Sequence, residues 1–77
     1  MRGRERVMPE RDPRVDPRRG DVLWKNGQSR KVIRRLTSTT VCADDIRYVT
    51  STNRQGAMFL CNWTKWAKDA EVIYAAT

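Results

Sequence analysis

The first nineteen residues constrain the fold most, because they offer very little apolar surface. Residues 1–19 hold seven arginines and four acidic residues, but only four apolar side chains apart from proline. Such a segment buries too little surface to offset the entropy lost when it is ordered. We therefore predict a flexible, disordered arginine-rich arm over 1–19 and one small folded domain over 20–77, close to the lower size limit for a chain that folds unaided.

Positive charge is spread over both predicted parts of the chain. Sixteen lysines and arginines against nine acidic residues give a formal charge of +7, of which residues 1–19 carry +3 and residues 20–77 carry +4. Such an excess favours an acidic partner, either nucleic acid or an acidic protein surface. The alternative is a solvated charged surface that only keeps the protein soluble.

The sequence shows no hydrophobic segment that would direct the chain to a membrane or out of the cell. No apolar run approaches the length of a spanning helix, and the charged N-terminus lacks the hydrophobic stretch of a signal peptide. We therefore expect a cytoplasmic protein without a membrane partner, in which Cys42 and Cys61 are reduced thiols.

Turn signals between runs of β-branched and aromatic residues predict four strands, at about 21–25, 30–36, 45–51 and 57–61. Asn26-Gly27 is the strongest of these turn signals. A two-residue turn would place Leu23 opposite Arg30. A four-residue loop over 26–29 places Leu23 opposite Val32 instead, and we prefer it because it pairs apolar with apolar side chains.

A second turn, over 53–56, predicts the pairing of the third and fourth strands. It places Tyr48 opposite Cys61. Cys42 then lies about six residues further along the ladder, and at ~3.3 Å per residue its sulfur is too far from that of Cys61 to bond, unless the chain folds back.

The hydrophobic period changes to that of a helix after the fourth strand. Trp63, Trp66, Ala67 and Ala70 occur at i, i+3, i+4 and i+7, which is one face of a short helix. Two turns are too short to be stable alone, so we expect both tryptophans to dock on the sheet and join the core. A last strand is predicted at 71–75.

The order of these elements predicts a mainly β fold. Five short strands, with one short helix before the last of them, favour a small SH3-like barrel, because closing the sheet removes exposed strand edges. An open sheet with one packed helix is the main alternative.

Residues that could carry catalysis are scarce. The chain has no histidine, the commonest general base, and the adjacent Asp44 and Asp45 would point to opposite faces of a strand. Two cysteines without histidine make no zinc site, and the isolated glycines form no phosphate-binding loop. We therefore expect no enzyme, and no metal, cofactor or small-molecule substrate.

The segment Arg30–Arg35 carries four cations within six residues. On a regular strand, Arg30 and Arg34 share one face, while Lys31 and Arg35 share the other. This basic stripe could contact phosphates, or could protect a hairpin edge from aggregation. Trp24, beside the first turn, is the aromatic residue that we most expect to be exposed. The candidate residues for binding nucleic acid or an acidic partner are Trp24, Lys25, Arg30, Lys31, Arg34, Arg35, Arg47 and Arg54.

Two segments of the chain resemble small proteins encoded by tailed bacteriophages and prophages. These are Pro17-Arg18-Arg19-Gly20-Asp21-Val22-Leu23 and Leu60-Cys61-Asn62-Trp63-Thr64-Lys65-Trp66-Ala67, the latter followed by Ala70-Glu71-Val72. The resemblance covers about 17–73 and brings no binding residues with it. It implies an accessory protein in a bacterial cytoplasm.

Two functions follow from this reading of the sequence. The first is a non-catalytic phage-type accessory protein that binds nucleic acid through its basic stripe. The alternative is a protein-interaction module that binds and modulates or inhibits a host or phage protein complex, such as a defence system.

Overall fold

A computed structural model describes residues 11–76 and shows a mainly β domain. Its elements are β1 Val22–Lys25, β2 Gln28–Leu36, a 3-10 turn Val41–Ala43, β3 Asp45–Thr50, β4 Gln55–Phe59, α1 Leu60–Ala67 and β5 Glu71–Tyr74. The predicted five strands, with one short helix before the last, are confirmed. Within this part of the chain no helix is long and apolar enough to cross a membrane.

The five strands form one antiparallel sheet in the order β4-β3-β2-β1-β5. The first four make a meander, and α1 then carries the chain back so that β5 pairs with β1. Because β4 and β5 lie at opposite edges of the sheet and do not pair with each other, the sheet is open. It resembles the predicted open sheet with a packed helix more closely than a closed barrel.

The helix covers one face of the sheet, which we call the inner face; the opposite face is the outer face. Apolar side chains of β1 to β3 meet those of α1 and of the turn after it, and their burial is the main force that holds the two layers together. The buried cluster is Leu23, Val32, Ile46, Leu60, Trp63, Ala67 and Ala70. Trp63 is fully buried, as predicted, whereas Trp66 is partly buried and packs against this cluster.

The register of the first hairpin differs from the one that we preferred. Leu23 lies opposite Arg30, so the connection is the two-residue turn Asn26-Gly27. Both turn residues have positive φ, 52° at Asn26 and 78° at Gly27. Such turns match the right-handed twist of the strands, and Asn and Gly reach this conformation at low cost. The turn geometry therefore outweighs apolar pairing, and it places Arg30 on the inner face.

A β-bulge interrupts the pairing of β2 with β3. Val32 lies opposite Tyr48 and Arg34 lies opposite Arg47, so Ile33 is an extra residue without a partner on β3. A bulge of this kind adds one residue to one strand and shifts the alternation of its side chains.

The bulge changes which cations of the basic stripe share a face of the sheet. Arg35 lies opposite the buried Ile46 and so shares the inner face with Arg30, whereas Lys31 and Arg34 lie on the outer face. The predicted sharing of faces by Arg30 with Arg34, and by Lys31 with Arg35, is wrong. The bulge leaves the outer face with two of the four cations of the stripe.

The second hairpin pairs Tyr48 with Gly56, not with Cys61 as predicted. The turn at 51–54 contains Asn53 with a φ of 66°, and β4 begins directly after it. The Tyr48 ring lies over Gly56, because a Cβ atom added there would be 2.5 Å from Tyr48 Cζ. A glycine opposite the ring gives it room that a larger residue would fill.

The two cysteines are closer than the strand pairing predicted, because the chain folds back through the 3-10 turn. The backbone N–H of Leu60 donates to the carbonyl of Asp44 at 2.8 Å, which holds the segment after the turn against the start of α1. Hydrogen bonding with the Cys61 thiol raises the pKa of the Cys42 thiol. Neither cysteine is in a disulfide.

Residues 11–19 pack against the domain, so the predicted arm over 1–19 is wrong for this part; residues 1–10 lie outside the described residues. The carbonyl of Pro13 accepts a hydrogen bond from Trp63 Nε1 at 3.0 Å, and Pro17 is fully buried. Apolar content did not predict this packing, because prolines, hydrogen bonds and ion pairs hold the segment and aliphatic side chains contribute little.

Asp21 joins both ends of the described chain. Its fully buried carboxylate accepts hydrogen bonds from the Arg11 guanidinium and from the backbone N–H groups of Arg18 and Ala76, the latter two at 2.7 Å. Burial alone would raise the pKa of Asp21, but these hydrogen bonds hold it below its usual value.

The lowered pKa of Asp21 predicts a specific loss of stability in acid. Because the folded-state value lies below the unfolded value of ~3.9, the contribution of Asp21 is fully present above that pH. It falls as the pH drops through the folded-state value. We expect the free energy of unfolding in urea to fall below about pH 4 by more in the native protein than in Asp21→Asn. Equal losses in the two proteins would mean that Asp21 is not the titrating group.

Candidate nucleic-acid interface

Four of the eight predicted binding residues lie together on the outer face: Trp24, Lys31, Arg34 and Arg47. The register places Lys31 between Val22 of β1 and Val49 of β3, and places Arg34 beside Arg47. Trp24 is exposed as predicted, at 42%, but Phe59 and Tyr74 are more exposed, at 55% and 57%. α1 packs on the inner face, so these side chains are open to solvent on the side away from the helix.

Three adjoining depressions on the outer face meet at Ile33, the bulged residue. Their volumes are about 480, 660 and 400 Å³. We call the combined surface the Ile33 groove. The cations that line it are Arg18, Arg19, Lys31, Arg34, Arg35 and Arg47.

Arg18 and Arg19 reach the groove because the chain before β1 continues along β2. The backbone N–H of Gly20 donates to the carbonyl of Val32 at 2.7 Å, and Gly20 has a φ of 99° that suits glycine. These two arginines were predicted to lie in the flexible arm, and neither was predicted as a site residue. The signal that could have located them is the glycine directly before the first strand.

The cations of the groove exceed the acidic groups near them. Arg47 pairs with Asp45 at 2.9 Å, and Arg18 lies 3.6 Å from Asp16. Among the described residues, Arg19, Lys31 and Arg34 have no ion-pair partner. A surface with this imbalance attracts anions, and the attraction is strongest where salt is low.

Arg30 and Lys25 lie on the inner side of the sheet, and both contact the domain itself. The Arg30 guanidinium carbon lies 4.1 Å from the ring centre of Trp66 and 4.5 Å from that of Tyr48. Its Nε is buried without a hydrogen-bond partner in the part of the chain described. Lys25 Nζ donates to the carbonyl of Trp66 at 2.7 Å. These two cations therefore support the helix rather than the groove.

Arg35 lies at the edge of the groove, but its guanidinium is held by acidic groups. It pairs with Asp44 at 2.9 Å and with Asp16 at 2.5 Å, and donates to the carbonyl of Pro17 at 3.1 Å. Burial alone would lower the pKa of Arg35, but the hydrogen bonds to the two carboxylates raise it above its usual value. The role of Arg35 in this structure is to fasten the N-terminal segment.

Arg54 lies in the turn between β3 and β4, where its backbone N–H donates to Thr50 Oγ1 at 3.1 Å. Its neighbour Gln55 lines the groove, whereas Arg54 does not. Of the eight predicted residues, the groove thus displays Lys31, Arg34 and Arg47. Trp24 lies on the outer face outside the groove lining, and Arg54 also lies outside it. Internal contacts hold the other three, Lys25, Arg30 and Arg35.

No protein-family model, no curated protein and no solved structure matches this chain.

Proposed function

We propose that this chain is a non-catalytic nucleic-acid-binding protein that holds phosphates in the Ile33 groove. The observation that carries the proposal is the convergence of Arg19, Lys31 and Arg34 on one open surface, without an acidic partner among the described residues. Lysine offers a mobile point charge and arginine a planar fork of donors, and both suit phosphate oxygens.

The internal contacts of the other cations exclude them from the proposed phosphate site. Lys25, Arg30 and Arg35 would have to leave aromatic rings, a helix carbonyl or carboxylates before they could reach a phosphate. The outer face needs no such rearrangement, because its cations already point to solvent.

The resemblance to proteins of tailed phages and prophages indicates where the protein would act. It favours an accessory role in a bacterial cytoplasm, where phage and host nucleic acids are both present. A groove that recognises only backbone charge would bind many sequences alike.

The proposal predicts binding that weakens steeply with salt. We expect the logarithm of the duplex association constant to fall against the logarithm of salt concentration with a slope near −0.9 for each phosphate neutralised. Replacing Lys31 and Arg34 by alanine together should flatten that slope by about two and weaken binding to all sequences alike. Fluorescence anisotropy of a labelled duplex, measured from about 50 to 200 mM salt, provides the test.

The control for this experiment removes the same charge from the opposite side of the molecule. Lys65 and Lys68 are exposed, one on α1 and one directly after it. Replacing both by alanine should leave the salt slope nearly unchanged. Equal effects of the two double variants would mean that net charge, and not the groove, drives binding. If neither a duplex nor a single strand binds even at about 50 mM salt, the proposal is refuted.

A second candidate function rests on the edge strand β4. Residues Gln55–Phe59 carry no charge, and Phe59 is 55% exposed. Natural edge strands commonly carry charges that block pairing with another chain, so an uncharged edge suits the addition of a strand from a protein partner. This interaction-module function becomes the leading one if the chain binds no nucleic acid.

A further inference from the structure

Aromatic side chains stand beside the cations of the outer face. Trp24 is 42% and Tyr74 is 57% exposed. The two belong to neighbouring strands: Tyr74 pairs with Val22, which lies two residues from Trp24 on the same face of β1. A register shift in this pairing makes Glu71 the direct partner of Trp24, and Tyr74 lies in the next row on the same face, at a diagonal distance of roughly 7–8 Å.

The cations lie along β2, on the side of β1 opposite to β5. Lys31 of β2 pairs with Val22 from the side opposite to Tyr74, and Arg34 follows it along β2. Neighbouring strands are about 4.8 Å apart, so Lys31 lies roughly 7–10 Å from both rings, whereas Arg34 lies beyond it on the side away from Trp24.

We infer that the ligand of the outer face is single-stranded nucleic acid, whose bases stack on Trp24 and Tyr74 while its phosphates follow Lys31 and Arg34. The inference rests on the proposed function and narrows it. An unpaired strand exposes both the faces of its bases and its backbone, and stacking on aromatic side chains is tolerant of sequence.

A duplex fits this surface less well. Its base faces are hidden inside the helix, so Trp24 and Tyr74 would contact only sugar and phosphate. Reading the major groove takes a protruding helix or β-ribbon, whereas the strands of the outer face form an open sheet and α1 lies on its other side. The exposed rings contribute to binding only when bases are unpaired.

The test compares an oligothymidine of about twelve nucleotides, which does not pair with itself, with a duplex of the same length, using the full chain at low salt. We expect tighter binding of the oligothymidine, together with quenching of tryptophan fluorescence. Trp24→Ala should weaken binding of the oligothymidine by roughly tenfold or more and remove most of the quenching, but leave duplex binding nearly unchanged. Trp24→Phe should retain most of the affinity.

Phe59→Ala is the matched control, because it removes an exposed aromatic side chain at the corner of the sheet next to Asp45. It should not change the affinity for oligothymidine. The inference is overturned if the duplex binds as tightly as the oligothymidine, or if Trp24→Ala has no effect on either; salt-dependent binding would then still support the proposed function. Both fail if neither oligonucleotide binds. Quenching in the native protein needs no variant, so poor folding of a variant cannot hide the result.

Discussion

Deleting residues 1–16 is expected to unfold most of the protein at room temperature, whereas deleting residues 1–10 should change its melting temperature little. The longer deletion removes Arg11 from the buried Asp21 carboxylate and the Pro13 carbonyl from Trp63 Nε1. It also removes Asp16 from Arg35. The shorter deletion leaves all three interactions in place.

The expected size of this effect comes mainly from Asp21. Removing one partner of a buried ion pair costs about 3–5 kcal/mol, because the other charge stays buried without compensation. Leaving the buried indole N–H of Trp63 without an acceptor costs about 1–3 kcal/mol more. A domain of this length has a total stability of only about 4–12 kcal/mol, so the deletion should consume most of it.

Circular dichroism and the dispersion of amide NMR signals can compare the two deletions directly. Arg11→Ala should reproduce most of the loss. Arg54→Ala is the control, because it removes an exposed arginine whose side chain has no ion-pair partner among residues 11–76. Native dispersion and an unchanged melting temperature after removal of residues 1–16 would show that the segment does not support the domain.

The sequence predicts local elements well because their signals are local. The strands and the helix follow from hydrophobic period, and Asn26-Gly27 marks a real turn. Register was predicted wrongly because it depends on competition between turn geometry and side-chain pairing. The bulge at Ile33 leaves no local signal, since Val32-Ile33 reads as an ordinary strand.

The candidate site was predicted in part for the same reason. Lys31 and Arg34 were identified by charge, but so were Arg30 and Arg35, and only the bulge separates the pairs. Arg19 was wrongly assigned to the arm. Its position beside β2 depends on a hydrogen bond between Gly20 and Val32, two residues that are distant in the sequence, so no local pattern predicts it. Long-range partners decide which charged side chains remain at the surface, and composition does not contain that information.

Trp63→Ala is expected to destabilise the protein far more than Trp66→Ala, although the two residues occur on the same predicted helix face. Trp63 is 0% exposed, and its ring centre lies 5.3 Å from that of Trp66 and 6.1 Å from that of Tyr48. Truncating a buried tryptophan costs about 3–5 kcal/mol, and the Pro13 carbonyl also loses its donor.

The smaller cost of Trp66→Ala follows from its position at the edge of the core. Trp66 is partly buried and stacks against the Arg30 guanidinium, so its removal takes away a contact worth about 0.5–2 kcal/mol together with part of its apolar burial. Trp63→Phe separates the two contributions of Trp63, because it keeps an aromatic ring but lacks the indole N–H; we expect a loss of about 1–3 kcal/mol from the hydrogen bond. Urea unfolding followed by near-ultraviolet circular dichroism gives the order of stability directly. If Trp66→Ala proves the more damaging change, the core is centred on the second tryptophan, and the Pro13 contact that fastens the N-terminal segment contributes less than its burial indicates.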